Sequence, residues 1–484
     1  MSRLLEKIQE RAAPPAPQVK HRYTFDAAMM LIYTTVVYIW GLGVHPLGRD
    51  YAAMACPEDL PFLVGRLFAW ELAAFGTNVV PYRLVNLAVL YACMLLLYHL
   101  TRFTLRGPAW YGTLAAVLFM ANPVHSEALL NLSGVADLLP CLAALAALTA
   151  YAAPQMRSGP VRRQALLLAA ALALCVFASL AYRHNAGLVL VIVLYEWLGA
   201  PKPSRAAWRT VPFVALGLVT CAMHADMPWL RALDPAALFA PLYLVFYPIG
   251  LLPETAATFH DAPWLGWLGA AAVVVVVALI HHKARFPAIL FGVLAMLPTR
   301  LFQDEAPVDL VHRVGGGSLL LANALFSIAA VALFYRVAHH PKWHRPVVVA
   351  TTLLCLLFFA LEIRSQRAWD HAGEQVRAFQ QRAAAQASDP IGVAPDFRYY
   401  CGAPMCFSDA IAHATPFGPR LDATSVLPMH YVRDEGFGVT LEDWQPAGAT
   451  FRVEGARPID VATAPYMLCK EGEVQETSET LLRI

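Results

Sequence analysis

Residues 122–151 read NPVHSEALLNLSGVADLLPCLAALAALTAY. The first half is punctuated: Pro123 follows an asparagine, and His125, Glu127 and Asp137 are spaced among mostly apolar residues. From Leu138 to Ala153 there is no charge. About 20 apolar residues let an α-helix cross a bilayer, so 134–153 reads as a spanning helix entered from a polar loop. Ionisable groups at the edge of such a helix are costly to bring near lipid and mark a place where chemistry is to be sought.

Outward from this stretch the same pattern recurs. Apolar runs at roughly 25–44, 83–101, 109–121, 164–181, 185–199, 210–225, 264–280, 286–298, 316–336 and 346–364 join 134–153 to give about eleven spans. A further apolar run, 237–253, is interrupted by Pro241, Pro248 and Pro253. Proline breaks the helical hydrogen-bond ladder, so this run reads as a broken segment that lines a cavity or lies at the interface. Composition agrees. Of 484 residues, 58% are hydrophobic and 14% charged, with a mean hydropathy of +0.51, whereas soluble domains carry about 25% charge. The net charge of +2 argues against a nucleic-acid partner. The leader, with Ala13-Pro14-Pro15, is polar, and the apolar run beginning at Phe25 reads as a first span rather than a cleaved signal.

Lysine and arginine set the orientation, because they accumulate on the cytoplasmic side. With about eleven crossings, about 17 of them fall on one side: the leader (Arg3, Lys7, Arg11, Lys20, Arg22) and the loops holding Arg102 and Arg106, Arg157 to Arg163, Lys202 to Arg209, Lys283 and Arg285, and Lys342 and Arg345. The other side holds about seven before the C-terminal part: Arg49, Arg66, Arg83, Arg183, Arg231, Arg300 and Arg313. The expected protein is therefore an α-helical polytopic protein of the inner (plasma) membrane. Residues 1–24 form a cytoplasmic leader, 25–365 a transmembrane domain with a long outer loop over 45–82, and 366–484 a small extracytoplasmic α+β domain. The latter opens with an amphipathic helix over 370–388 and continues in short β-type runs such as Thr450-Phe451-Arg452-Val453. Cys93, Cys141, Cys175, Cys221 and Cys355 fall inside spans and read as packing residues. Cys56, Cys401, Cys406 and Cys469 fall on the outer face, where disulfides form; their pairing is not readable from spacing.

The outer loops gather the candidate site. Asp50 follows the first span. The amphipathic stretch Leu60 to Phe75 reads as lying along the membrane surface. His125, Glu127 and Asp137 stand in the second outer loop, Arg183 and His184 at the end of the 164–181 run, and Arg313 shortly before a run of three glycines. Carboxylates, histidines and arginines on one face suit phosphoryl or glycosyl chemistry. A carboxylate can take a proton from a hydroxyl, and arginine clamps phosphate in a bidentate fork. The structural readings of the same residues are a solvated loop acid, helix-capping acids, interfacial histidines and arginines that snorkel to headgroups.

The order of these segments resembles the GT-C glycosyltransferases, in particular the branch of protein O-mannosyltransferases and transmembrane O-mannosyltransferases, without the latter's tetratricopeptide repeats. Asn122 to Tyr151 carries the resemblance most strongly. Arg66-Leu-Phe-Ala-Trp-Glu with Tyr82-Arg83-Leu-Val-Asn86, Ser179 to His184, Tyr195-Glu196, Tyr247 to Pro253, and Leu297-Pro298 with His312-Arg313 follow in the family's order, over about residues 25–365. Val135 stands where the family has an arginine, His184 where it has a glutamate, and Tyr51 where it has a second acid after Asp50.

The resemblance implies an inverting transferase that moves a sugar from a polyprenyl-phosphate donor to a hydroxyl of a protein, lipid or glycan on the extracytoplasmic face. Asp50 would be the base, with Glu127 and Asp137 as the other catalytic acids. Arg183, Arg313, His125 and His184 would hold the donor phosphate. The donor is a substrate, so no cofactor is implied; no metal ligands are assigned, and a divalent metal is left open. Two other readings stand beside it: a polymerase or ligase of lipid-linked glycans, and a catalytically divergent GT-C-like scaffold with an envelope-assembly protein as partner.

Overall fold

The computed structural model describes residues 19–47, 49–105, 108–156, 160–181, 187–199, 207–223, 295, 319–338, 342 and 344–385, together with short strands between 399 and 483. The protein is a helical multi-pass membrane protein. Five helices are long and apolar enough to cross a bilayer, or six if one bent pair counts as a span, among the described residues. The count of about eleven therefore stands untested, because the runs 264–280 and 286–298 and the broken segment 237–253 lie outside the described residues, apart from Ala295.

Helix α1 spans Val19–Tyr38 and ends in a 3-10 turn, Ile39–Gly41. The loop beyond holds two shorter helices, α2 (Arg49–Ala55) and α3 (Phe62–Phe75). Helices α4 (Val79–Leu105) and α5 (Ala109–Ala121) then form an antiparallel pair. Gly112 lets them close: a Cβ there would stand 2.6 Å from the Tyr98 carbonyl oxygen. At Asn122 the chain turns. Pro123 has no N–H with which to continue α5, and the Asn122 side chain accepts from the Val124 N–H at 3.2 Å, capping the next turn. The stretch Pro123–Leu130, which includes α6 (Ser126–Leu130), leaves α5 at 54°.

Helices α7 (Val135–Met156) and α8 (Val161–Ala181) follow, then α9 (Leu188–Leu194), which runs into a π-helical turn, Tyr195–Gly199, then α10 (Ala207–Met223) and α11 (Leu320–Ala338). The helices share one core of alanine, leucine and aromatic side chains, in which Leu97, Phe119, Leu145, Tyr151, Ile192 and Leu325 are fully buried. Apolar side chains also face outward, among them Ile32, Trp40, Leu218 and Leu353. In water such exposure would be a liability; here it is the surface that meets lipid.

Helix α12 (His344–Ala385) joins two expected elements. The last span and the amphipathic helix expected to open the C-terminal domain form a single helix of 42 residues, about 63 Å long at 1.5 Å per residue. Its apolar part precedes Glu362, and Arg364, Arg367, Asp370 and Glu374 follow within the same helix. Beyond it, β1 (Tyr399–Tyr400) and β2 (Ala403–Pro404) form a small hairpin. Strands β3 (Phe437–Gln445), β4 (Gly448–Gly455), β5 (Val474–Glu476) and β6 (Thr480–Arg483) form an antiparallel sheet in the order β3-β4-β6-β5. The outer cysteines Cys401, Cys406 and Cys469 lie outside the described residues, and Cys56 is a free thiol.

Candidate functional site

A second, smaller core lies at one end of the bundle and defines the candidate site. It joins Val44, Leu47 and Tyr51 of the loop after α1, Val64 and Phe68 of α3, Tyr82 of α4, Leu130, Leu132 and Val135 around the start of α7, and Trp369, Ala372 and Val376 of α12. The loop after α1, the loop after α5 and the far part of α12 therefore occupy the same end. Two contacts fix α12 there. His45 Nε2 lies 3.1 Å from Gln380 Oε1, and a Cβ on Gly373 would come within 3.0 Å of the His45 backbone nitrogen. A larger residue at 373 would press the helix against the loop.

Asp50 lies in the first turn of α2 and is fully buried. Its Oδ1 accepts from the Ser133 N–H at 3.1 Å and the Ser133 hydroxyl at 3.0 Å. Its Oδ2 accepts from the Leu47 N–H at 3.3 Å. One carboxylate thus fastens the first outer loop to the second, four residues before Asp137. Burial pushes the Asp50 carboxyl up from the ordinary range, while the amides of Ser133 and Leu132 and the charge of Arg83 pull it down.

Arg83 is the neighbour that sequence reasoning did not select. It lies near the start of α4 and is 2% exposed. Nε donates to the Leu130 carbonyl at 2.9 Å and Nη1 to the Leu42 carbonyl at 3.0 Å. Nη2 is buried and makes no hydrogen bond. The guanidinium therefore spans the same two loops as Asp50. The available signal was its place: an arginine at the outer start of a span, which reads equally as a residue that snorkels.

Asn86, one turn along α4, donates to the carbonyls of Asn131 at 2.8 Å and Leu129 at 3.4 Å. Gly134 packs against this junction; a Cβ there would collide with the Ala128 carbonyl and stand 3.0 Å from Asn86 Nδ2.

The other candidates are distributed differently. Asp137 is buried in the first turn of α7, and Glu127 is partly buried in the first turn of α6. His125 faces the bundle interior. Its Nε2 lies 2.9 Å from Asn323 Nδ2 and near the Phe119 carbonyl oxygen, and its ring meets the Phe119 ring edge-on at 4.4 Å. Asn323 also reaches Asn122 at 3.2 Å. This polar knot joins the α5 bend to α11. Ser126, next to His125, donates to Glu362 of α12 at 2.8 Å, and Gln366 bridges Glu362 to the Val37 carbonyl. Arg183, His184 and Arg313 lie outside the described residues. No group of three His, Cys, Asp or Glu among the described residues is placed to hold a metal ion.

No protein-family model matches the chain, and no curated protein matches it. Among solved structures it is similar to ArnT from Cupriavidus metallidurans bound to undecaprenyl phosphate, at 14% identity and a TM-score of 0.45, over 94% of this chain and 97% of that one. ArnT from the same organism in the apo state is similar at 13% identity, with the same TM-score and coverage. Similarity at this level assigns neither a family nor a function.

The geometry is a junction of two loops closed by a buried acid and a buried base, with one guanidinium nitrogen still unsatisfied. A buried cationic donor without a partner suits an anionic oxygen, and a desolvated carboxylate beside it suits proton transfer.

Proposed function

We propose that the chain is a membrane glycosyltransferase of GT-C type, moving a sugar from a polyprenyl-phosphate donor to a hydroxyl acceptor on the extracytoplasmic face. The observation that carries this reading is the Asp50–Arg83 junction: a carboxylate in the short helix that follows the first loop, desolvated beside an arginine with an open Nη2. In this reading Asp50 takes the acceptor proton at Oδ2, whose 3.3 Å contact with Leu47 is the longest of its three. Burial raises its basicity toward what a general base needs. Arg83 joins Arg183, His184 and Arg313 around the donor phosphate, where charge grows as the carrier leaves and a water-poor site strengthens each contact. Glu127 and Asp137, in first turns of adjacent helices, orient the acceptor. His125, proposed from sequence as a phosphate ligand, is reassigned to holding the α5 bend, because its Nε2 is engaged inside the bundle.

The basic leader and basic loops favour a cytoplasmic N-terminus. In this reading the Asp50 end, the far part of α12 and the C-terminal strands are outside. The test is transfer from labelled polyprenyl-phosphate sugars in membranes. Asp50→Asn, expressed at the normal level, is expected to lose at least about a hundredfold in rate, the usual weight of a general base. Undiminished transfer removes Asp50 from the mechanism.

One observation favours a second reading. Every oxygen of Asp50 is already satisfied within the protein, as in a divergent GT-C-like scaffold that uses the acid only to join loops. Co-purification with a stoichiometric envelope protein, without lipid-linked sugar, would support that reading.

A further inference from the structure

The residue least explained by the fold is Glu71. It lies on the inward stripe of α3 formed by Val64, Phe68 and Glu71, and is 1% exposed. Among the described residues neither Oε1 nor Oε2 has a hydrogen-bond partner, no charged group offsets the carboxyl, and burial pushes it up to about 7. Leaving a buried acceptor unpaired costs free energy that an apolar side chain at the same place would not incur. On this stripe the Phe68 ring meets Tyr82, whose hydroxyl donates to the Gly76 carbonyl at 3.0 Å. Phe62, Leu63 and Trp70 on the same helix face outward, so α3 lies between lipid and the site end of the bundle.

We propose that Glu71 is a sugar-binding residue: its carboxyl receives hydroxyl groups of the donor's glycosyl unit as that unit enters beneath α3. The inference rests on the transferase reading above and names a contact of that site. A carboxyl near half-protonation at neutral pH both donates and accepts, which matches a pair of neighbouring sugar hydroxyls. Sugar hydroxyls also bring no charge in beside the apolar Phe68–Tyr82 contact. Entry needs α3 to shift. Its C-terminal joint supplies the freedom, since Gly76 sits at φ +52°, a conformation only glycine adopts readily.

The test uses the full chain in nanodiscs and four probes: undecaprenyl phosphate alone, and the same lipid carrying mannose, glucose or N-acetylglucosamine. The wild type is expected to bind at least one sugar-bearing lipid about tenfold more tightly than undecaprenyl phosphate, the scale of a hydrogen bond to a charged group. Glu71→Leu should abolish that preference while binding undecaprenyl phosphate as before. Glu71→Gln, which keeps one donor and one acceptor, should retain part of it. A preference that survives in Glu71→Leu, or a wild type that prefers none of the three sugars, overturns the assignment of Glu71 and leaves the transferase reading standing. A wild type that binds none of the four lipids overturns the transferase reading itself, and this inference with it.

Discussion

At the residue scale, the unsatisfied groups around the site make the sharpest predictions. Arg83 holds two carbonyls from different loops and faces Asp50. Arg83→Ala should destabilise the protein by about 3 kcal/mol, because it orphans both carbonyls and leaves Asp50 uncompensated. Arg83→Lys should recover only part of this, since one ammonium cannot reproduce the guanidinium fork. Thermal midpoints of the purified variants check both, and a midpoint unchanged in Arg83→Ala would show that the loops are held by something else. Glu71 predicts a pH dependence. Its carboxyl titrates near 7 in the folded protein and near 4.5 when unfolded. The folded state therefore holds the extra proton between those values, and stability falls as pH rises through them. The thermal midpoint should drop between about pH 5 and 8, with a smaller drop in Glu71→Gln; parallel profiles would refute it. Legibility at this scale was uneven. Asp50 stood out as an acid in the loop that follows the first apolar run, although a solvated loop acid reads the same way. Arg83 and Glu71 did not, because an arginine at a span end and a glutamate on an amphipathic helix read as solvated unless their burial is known. His125 shows the converse: histidine looks the same in sequence whether it binds a ligand or closes a polar knot.

At the element scale, the decisive feature is the turn between α5 and α7, where chain direction is set by small, hydrogen-bonded parts. Gly134→Ala should cost about 1–3 kcal/mol through overpacking, since the new methyl meets the Ala128 carbonyl and Asn86. A normal midpoint for Gly134→Ala would mean that the junction yields more than its packing suggests. Asn323→Leu removes the donor facing His125 and the acceptor facing Asn122. Buried hydrogen bonds between membrane helices are weak on average, so a loss of about 1 kcal/mol is expected, with transfer activity retained if His125 lies outside the site. Most helices here were legible from apolar runs, since both lipid and core select the same residues. The 54° bend was visible only as Asn-Pro. The continuity of α12 was not legible, because its apolar and amphipathic halves carry different patterns although the backbone does not distinguish them.

At the scale of the whole molecule, α12 connects three regions: the lipid-facing bundle, the loop junction and the C-terminal strands. The Trp369, Ala372 and Val376 face belongs to the core of the junction. Truncation after residue 365 should therefore cost more than the soluble part, loosening loop one and abolishing activity. Truncation after residue 385, which spares that face, should keep the fold. Both can be read from the melting and expression of the shortened chains, and a stable, active 1–365 protein would contradict this. Orientation has its own test: protease added to right-side-out vesicles should remove the C-terminal strands, and protection of residues 386–484 would reverse the assigned sides.

The passage of Gly373 against His45 has a consequence of timing and gearing. A helix is a screw: each residue added turns everything after it by about 100° and advances it by about 1.5 Å. Two residues inserted before Trp369 would swing its face to the opposite side and bring a bulkier side chain to the point where the helix passes His45 most closely. The stretch between Arg345 and Trp369 is thus counted as well as composed. It should tolerate exchanges of one apolar residue for another far better than any change in their number.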